Sequence, residues 1–321
     1  MPEADLPRIA ESPGTAPYDG RVSSPTGRSL PLRRDGVTAL ISQVGASLRH
    51  LDVGGTTVVP PYPEDAPTPL CSGVVLAPWP NRIRDGVWQD GDVERALAIT
   101  EPALHNASHG LLRFTAYDVV EHTDEAVTLA ATIVPQTGYP YLVDTTVTYA
   151  LTADGIAVTH TLANGSDSDA PVALGTHPFL TVGGADPGDL VLRIPAETFF
   201  EVDDRLLPIG EPPVADGTDL REGRRLRDVQ LDTGFATLLR DADGRVRTTL
   251  TAPDGRTTTV WQGPGFDYLQ VFTTDRYPGQ ARAVAIEPMT APAEAFNSGR
   301  GLRRLAPGES WTLEWGVSFR A

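Results

Sequence analysis

The 321 residues carry 42 acidic against 26 basic side chains, a formal net charge of −16, and a single cysteine. So acidic a chain makes a poor partner for nucleic acid or an anionic membrane, and Cys71 alone excludes an internal disulfide and suits a reducing compartment. No apolar run approaches the ~20 residues of a membrane helix and the opening "MPEADLPRIAESPG" lacks an apolar h-region, so a cytoplasmic location is expected.

Residues 1–36 are rich in Pro, Gly, Ser and charge and read as a loosely ordered N-terminal arm. From Val37 the pattern changes to short strands and tight turns. "GVTALISQVGASLRHLDVGGTTVV" supplies β-branched runs broken at Gly45 and Gly54-Gly55. "EAVTLAATIVP", "YLVDTTVTYALTADGIAVTHTLAN" and "RVRTTLTAPDGRTTTVWQ" alternate as half-buried strands do. Asp-Gly recurs at 85–86, 90–91, 154–155, 243–244 and 254–255, each a hairpin signal. "GESWTLEWGVSF" closes the chain with Trp311, Leu313, Trp315 and Val317 on one face. Helix signals are confined to "TPLCSGVVLAPWPN" and "EAFNSG", each long enough for a turn. The predicted architecture is all-β: a large antiparallel β-sandwich with long loops, one domain over residues 37–321.

Phosphate-binding, dinucleotide-binding, zinc-protease and nucleophile-elbow motifs do not occur. Cys71, in an apolar run, reads as an inert core thiol. The chemistry-bearing residues are polar groups in unusual local settings. Asn81 and Arg82 follow two prolines that flank Trp79, His109 precedes Gly110, His177 precedes Pro178, Asp232 edges an apolar stretch, and Glu287 ends the apolar run 283–286 and precedes Pro288. A following proline excludes the α region and narrows where a side chain can point, which suits a site that must hold an acid against a base. The same proline can simply end an edge strand. Each residue likewise has a structural alternative: a satisfied histidine, an arginine stacked on Trp79, a turn-capping aspartate. Together, two imidazoles, a carboxylate and an arginine suit acid–base chemistry on a neutral, hydroxyl-rich molecule. Histidine, with a pKa of about 6.5, can donate near neutrality, and glutamate, near about 4.3, can accept.

In this combination the chain resembles the aldose 1-epimerase (galactose mutarotase) family. The resemblance is carried, in order, by "PWPNRIRDG" (78–86), "SHGLLR" (108–113), "GTHPFL" (175–180), "LDTGF" (231–235), "YLQVFTTD" (268–275) and "AIEPMTAPAEAFNSG" (285–299). "HGLL" and "VFTTD" stand where the best-known members have Gly-Gly after the histidine and a Tyr-Thr-Gly-Asn run, as in a less-characterised bacterial branch. The resemblance implies a galactose mutarotase-like supersandwich with few short helices, a sugar cleft on one sheet and no cofactor. It implies Glu287 as general base at the anomeric hydroxyl and His177 as general acid at the ring oxygen. His109 and Arg82 would bond the ring-oxygen and C1 region, beside Asn81, and Asp232 would grip sugar hydroxyls. Trp79, Phe179 and Trp261 are candidates for covering the sugar's C–H surface.

The implied partner is a small-molecule sugar, free or phosphorylated, and the implied assembly a monomer or homodimer. A hexose-6-phosphate mutarotase would need fixed positive charge, for which "REGRRLR" (221–227) is the candidate. His109, His177 and Glu287 as a facial metal triad, and a non-catalytic carbohydrate-binding protein, are the readings from other classes.

Overall fold

The computed structural model describes residues 24–321; most of the N-terminal arm therefore lies outside the described residues. Its last part does not behave as an arm. Ser29–Arg34 is a strand paired with Val37–Ser42 around an Asp35-Gly36 turn. Leu30 and Leu32 point inward from it, at 1% and 0% exposure. Two alternating leucines in a Pro- and Arg-rich stretch are enough to anchor a strand once a hairpin partner lies beside them.

That pair opens a four-stranded sheet continued by Ser47–Val53 and Thr56–Val59. The largest sheet has nine strands. At its centre Val143–Thr152, Gly155–Asn164 and the closing strand Ser310–Arg320 pair antiparallel, followed by Thr257–Gln262 and Val246–Thr251. A third sheet runs Ala196–Phe199, Asp232–Leu238, Tyr268–Thr274, Ala283–Met289, Gly175–Thr176 and Val75–Leu76, with Phe179–Leu180 also paired to Ala283–Met289. Inward residues of all three sheets, among them Leu32, Val158, Val317, Leu269 and Ile286, form one continuous apolar core. The result is the predicted antiparallel sandwich. Its helices are short: a turn at Pro69–Cys71 and a four-residue helix at Ala295–Ser298 lie where the two helix signals are, and single turns at Pro187–Asp189, Asp216–Thr218 and Leu226–Asp228 arise without one.

Of the five Asp-Gly pairs named above, three close hairpins, at 90–91, 154–155 and 254–255, as Asp35-Gly36 also does. The pairs at 85–86 and 243–244 do not. They turn the chain between strands of different sheets, because local turn chemistry fixes a reversal but not its partner.

Alternation in the third sheet creates the functional face. Leu269 and Val271, with Val284 and Ile286, enter the core. Their neighbours Gln270, Phe272 and Glu287 therefore stand on the opposite face. The register sets Gln270 opposite Glu287, and Asp232 opposite Phe272.

Candidate active site

Asn81, Arg82, His109, His177, Asp232 and Glu287, spread over two hundred residues of chain, line one cavity of about 340 Å³, a volume suited to a small ligand. Asp232 and Glu287 come from the sheet face, and His177 directly follows the short strand Gly175–Thr176. Arg82 and His109 come from the ribbon Arg82–Arg84/Asn106–Ser108 and the turn after it.

Glu287 and His177 meet at the cavity floor, with Oε1 and Nε2 3.3 Å apart and side chains 2% and 7% exposed. The His177 amide donates to the Val74 carbonyl (3.3 Å), its own carbonyl accepts from Gly73 N–H (2.7 Å), and the Pro178 carbonyl accepts from Ile286 N–H (3.1 Å). The His-Pro step is thereby locked between the Glu287 strand and the neighbouring one. Burial pushes the Glu287 carboxyl well above the ordinary range, with the Asp232 charge adding to it and Arg82 opposing. Burial pulls His177 down to about 4, and Arg82 pulls the same way. Each group is biased toward its neutral form.

His109 stands edge-on to His177, ring centroids 5.6 Å apart. The Asn81 N–H donates to its Nδ1 (3.3 Å), which assigns the proton of the neutral ring to Nε2. The Asn81 carbonyl accepts from His109 N–H (2.8 Å). Both residues have left-handed backbones, φ 57 and 63. Gly110, at φ 68, is required: a Cβ there would lie 2.1 Å from the Ala77 carbonyl oxygen. Burial, then the neighbouring His177, Arg82 and Arg113, keep the His109 ring well below its usual pKa.

The polar wall is a closed circuit. Arg82 Nη1 donates to Asn81 Oδ1 (3.3 Å), Asn81 Nδ2 to Gln270 Oε1 (3.2 Å) and Gln270 Nε2 to Asp232 Oδ1 (2.6 Å). Asp232 Oδ2 returns to Arg82 Nη2 at 3.6 Å. Gly234 leaves the room for this, since a Cβ there would meet Gln270 Oε1 at 3.1 Å. Over the cavity two loops are clasped by Arg205, which donates to the carbonyls of Leu104 (2.9 Å) and His105 (2.7 Å). Leu104 and Leu206, one from each loop, both line the cavity.

The three aromatic candidates do not line the cavity. Trp79, pinned between its prolines, is 2% exposed and packs edge-on against Phe296 at 5.5 Å. Phe179 is fully buried behind His177, 4.6 Å from the Tyr277 ring. Trp261 belongs to the nine-stranded sheet, where it covers Gly316 and carries the Arg245 guanidinium 3.9 Å above its ring. Phe272 supplies the aromatic wall instead. Cys71 also lines the cavity, half-buried rather than in the core, with burial pushing its thiol up. Gln270, Leu70, Glu101, Leu104, Leu206 and Arg276 complete the lining. Among these Gln270 carries a sequence signal, a polar residue inside the apolar run "YLQVF"; the others come from loops or from beyond a strand end, without one. Among the described residues no group of three or more His, Cys, Asp or Glu side chains is arranged to hold a metal. The arginines of 221–227 lie away from the cavity, Arg224 and Arg225 on the edge strand of the nine-stranded sheet.

The fold recurs in known structures. A galactose mutarotase-like protein from Clostridium acetobutylicum superposes with a TM-score of 0.80 at 20% identity, covering 90% of this chain and 94% of that one. An aldose epimerase homologue from C. elegans gives 0.79 at 20% identity (91% and 98% covered), and a putative aldose 1-epimerase from Escherichia coli K12 gives 0.78 at 19% (91% and 99% covered). In sequence, the uncharacterized protein YihR of Escherichia coli K12 is 31% identical over 296 residues, 91% of this chain and 93% of that protein. The aldose 1-epimerase family model matches residues 28–318. That match takes in all six polar residues that the sequence singled out and the cavity brings together, and on it the chain belongs to the aldose 1-epimerase family.

Proposed function

We propose that the protein interconverts the α and β anomers of a free aldohexose or a related sugar, by acid–base opening and closure of the ring and without a cofactor. The observation that carries this reading is the 3.3 Å approach of Glu287 and His177 on the floor of a sugar-sized cavity. The neutral pair and the pair written as carboxylate and imidazolium contain the same number of protons. Passing the shared proton from Glu287 to His177 creates a base and an acid without changing net charge. Sugar hydroxyls that bond the carboxylate favour this form.

Glu287 then takes the proton of the C1 hydroxyl while His177 gives its proton to the ring oxygen. The C1–ring oxygen bond breaks and an open-chain aldehyde forms. Rotation about C1–C2 presents the other carbonyl face. Closure returns the hydroxyl proton to His177 and the Glu287 proton to the carbonyl oxygen, restoring the pair. His109, with its proton on Nε2, and Arg82 bond the C1 and ring-oxygen region, while Asp232, Gln270 and Asn81 bond the remaining hydroxyls. Positioned proton transfers of this kind contribute roughly 10²–10⁴ in rate.

Polarimetry or exchange NMR on freshly dissolved α-aldoses tests this. Wild type should equilibrate at least one common aldose far faster than Glu287→Gln does. A wild type no faster than that variant on the whole panel removes the enzymatic reading and leaves a carbohydrate-binding protein. Arg276, on the cavity lining with no ion-pair partner among the described acids, favours a second reading in which the sugar bears an anionic group such as a 6-phosphate. Comparing mutarotation of glucose with that of its 6-phosphate separates the two.

A further inference from the structure

Glu101 is assigned no part in the reaction so far, yet it has the most committed carboxylate in the cavity. Its Oε2 accepts from Arg82 Nε (2.9 Å) and from Asn106 Nδ2 (3.1 Å), and its Oε1 accepts from Arg82 Nη2 (3.1 Å). The first and third are the two parallel bonds of a fork-on-carboxylate pair. The side chains of Arg82 and Glu101 are only 12% and 25% exposed, so solvent screens them weakly. The loop that carries Glu101 does not need this carboxylate to close. Glu101 N–H donates to the Asn106 carbonyl (3.0 Å) and Asn106 N–H to the Glu101 carbonyl (3.2 Å), a complete backbone bridge. Arg205 anchors the same loop from outside. The side chain is therefore spent on Arg82.

We propose that Glu101 is a positioning residue of this site, which fixes the Arg82 guanidinium in one orientation toward the sugar and offsets part of its charge beside the Glu287–His177 pair. The proposal rests on the mutarotase reading for its catalytic consequence, but not for its geometry. An unrestrained arginine carries about 2 kcal/mol of rotamer entropy that it loses on meeting a ligand, and the fork removes that freedom beforehand. Burial opposes the charge on Arg82, yet the bonds to Glu101 and the charge of Asp232 hold its pKa above the usual value.

The charge argument involves every group that faces the pair. Asp232 and Arg82 act on Glu287 from the sheet and the ribbon, and His109 stands beside His177. Cys71 and Arg276 share the lining, and Arg113 acts on His109 from the turn behind it. Arg82 is the cation that pulls Glu287 toward ionisation and disfavours a proton on either histidine. Removing the Glu101 charge leaves that pull less opposed, so Glu287 releases its proton at lower pH.

The test compares wild type, Glu101→Gln and Glu101→Ala by kcat/KM against pH and by hydrogen exchange at the Arg82 Nε–H, whose NMR signal is identified by its loss in Arg82→Lys. Glu101→Ala should lower kcat/KM about 30-fold, in the range for a lost charge-assisted pair. Glu101→Gln, an isostere that keeps one acceptor, should lower it roughly 5-fold and carries the test if the alanine variant fails to fold. In both, the basic limb should move about 0.5–1 pH unit lower, and the Nε–H should exchange at least tenfold faster. Variants within twofold of wild type with an unmoved basic limb, or an Nε–H exchanging no faster than before, overturn the proposal. Should wild type show no mutarotation at all, the exchange measurement still decides the positioning claim while the functional reading falls separately.

Discussion

Gln270 stands directly across the ladder from Glu287, the two occupying one register pair of adjacent strands. Its amide takes no part in holding the carboxylate. It joins Asn81 to Asp232 instead, closing the side-chain circuit that ends at Arg82. Replacing Gln270 by leucine keeps the volume but leaves Asp232 and Asn81 each one partner short. The expected result is a rise in KM of about tenfold, the cost of roughly 1.4 kcal/mol, with kcat falling less. A loss confined to kcat would place Gln270 at the reacting atoms rather than among the hydroxyl contacts.

Glu287→Gln preserves shape and removes the carboxylate that faces His177. Activity should fall by about 10²–10⁴, the worth of one positioned proton transfer, with the urea midpoint raised or unchanged because a buried ionisable group has been neutralised. His177→Gln should fall by a similar factor, and the double variant by little more, since the two act on one proton. Additive losses would separate the pair.

The pH profile follows from the same two groups. The proposed mechanism needs one proton on the pair, so the acid limb would report its second protonation. With His177 pulled to about 4, kcat/KM should stay flat from pH 6.5 down to 5 and fall through about 4. The basic limb, set by Glu287, should lie well above the ordinary carboxyl range. Initial rates corrected for the buffer reaction measure both. An acid limb at 6 or above would mean that His177 titrates like a solvent-exposed imidazole.

Stability against acid carries a separate signature in the core. His160 is buried, accepts a hydrogen bond from Trp315 Nε1 at 3.0 Å, and is pulled to about 3 by burial. Its folded pKa lies below the unfolded one, so between pH 6.5 and 3 the unfolded chain binds the proton that the folded chain refuses. Stability is then lost as pH falls, at up to about 1.4 kcal/mol per pH unit. From pH 6.5 to 5 wild type should lose about 2 kcal/mol more than His160→Gln in urea titrations. Equal losses in the two proteins would show that this ring is protonated without unfolding.

Gly110→Ala tests the backbone that aims His109. The new Cβ would meet the Ala77 carbonyl oxygen at 2.1 Å in a left-handed conformation, and the combined strain should cost about 3 kcal/mol. Activity should fall with it, because the turn cannot relax without moving the imidazole. Unchanged stability and activity would mean that the close approach is not maintained.

Much of this was legible in the sequence because alternation, Asp-Gly turns and residues before proline are local signals. The strands of the four- and nine-stranded sheets follow the runs of "GVTALIS" and "YLVDTTVTYAL", and the polar candidates converge on one cavity. The aromatic readings failed for a physical reason: a large ring next to a site residue in sequence points to the other side of a strand or into the core as readily as toward a ligand. Trp79 and Phe179 took the core and Trp261 another sheet. Glu101, Leu104 and Leu206 were invisible because their placement depends on Arg205 tying together two loops about 100 residues apart in sequence.

That clasp divides the molecule's labour in a way that bears on how such a chain can diversify. Glu287 and His177 are bolted to paired strands, whereas Leu104 and Leu206 hang from surface segments that one arginine holds together. Turnover of those segments, by drift or by a targeted library at 104, 205 and 206, can reshape which sugar is admitted while the reacting groups stay where they are.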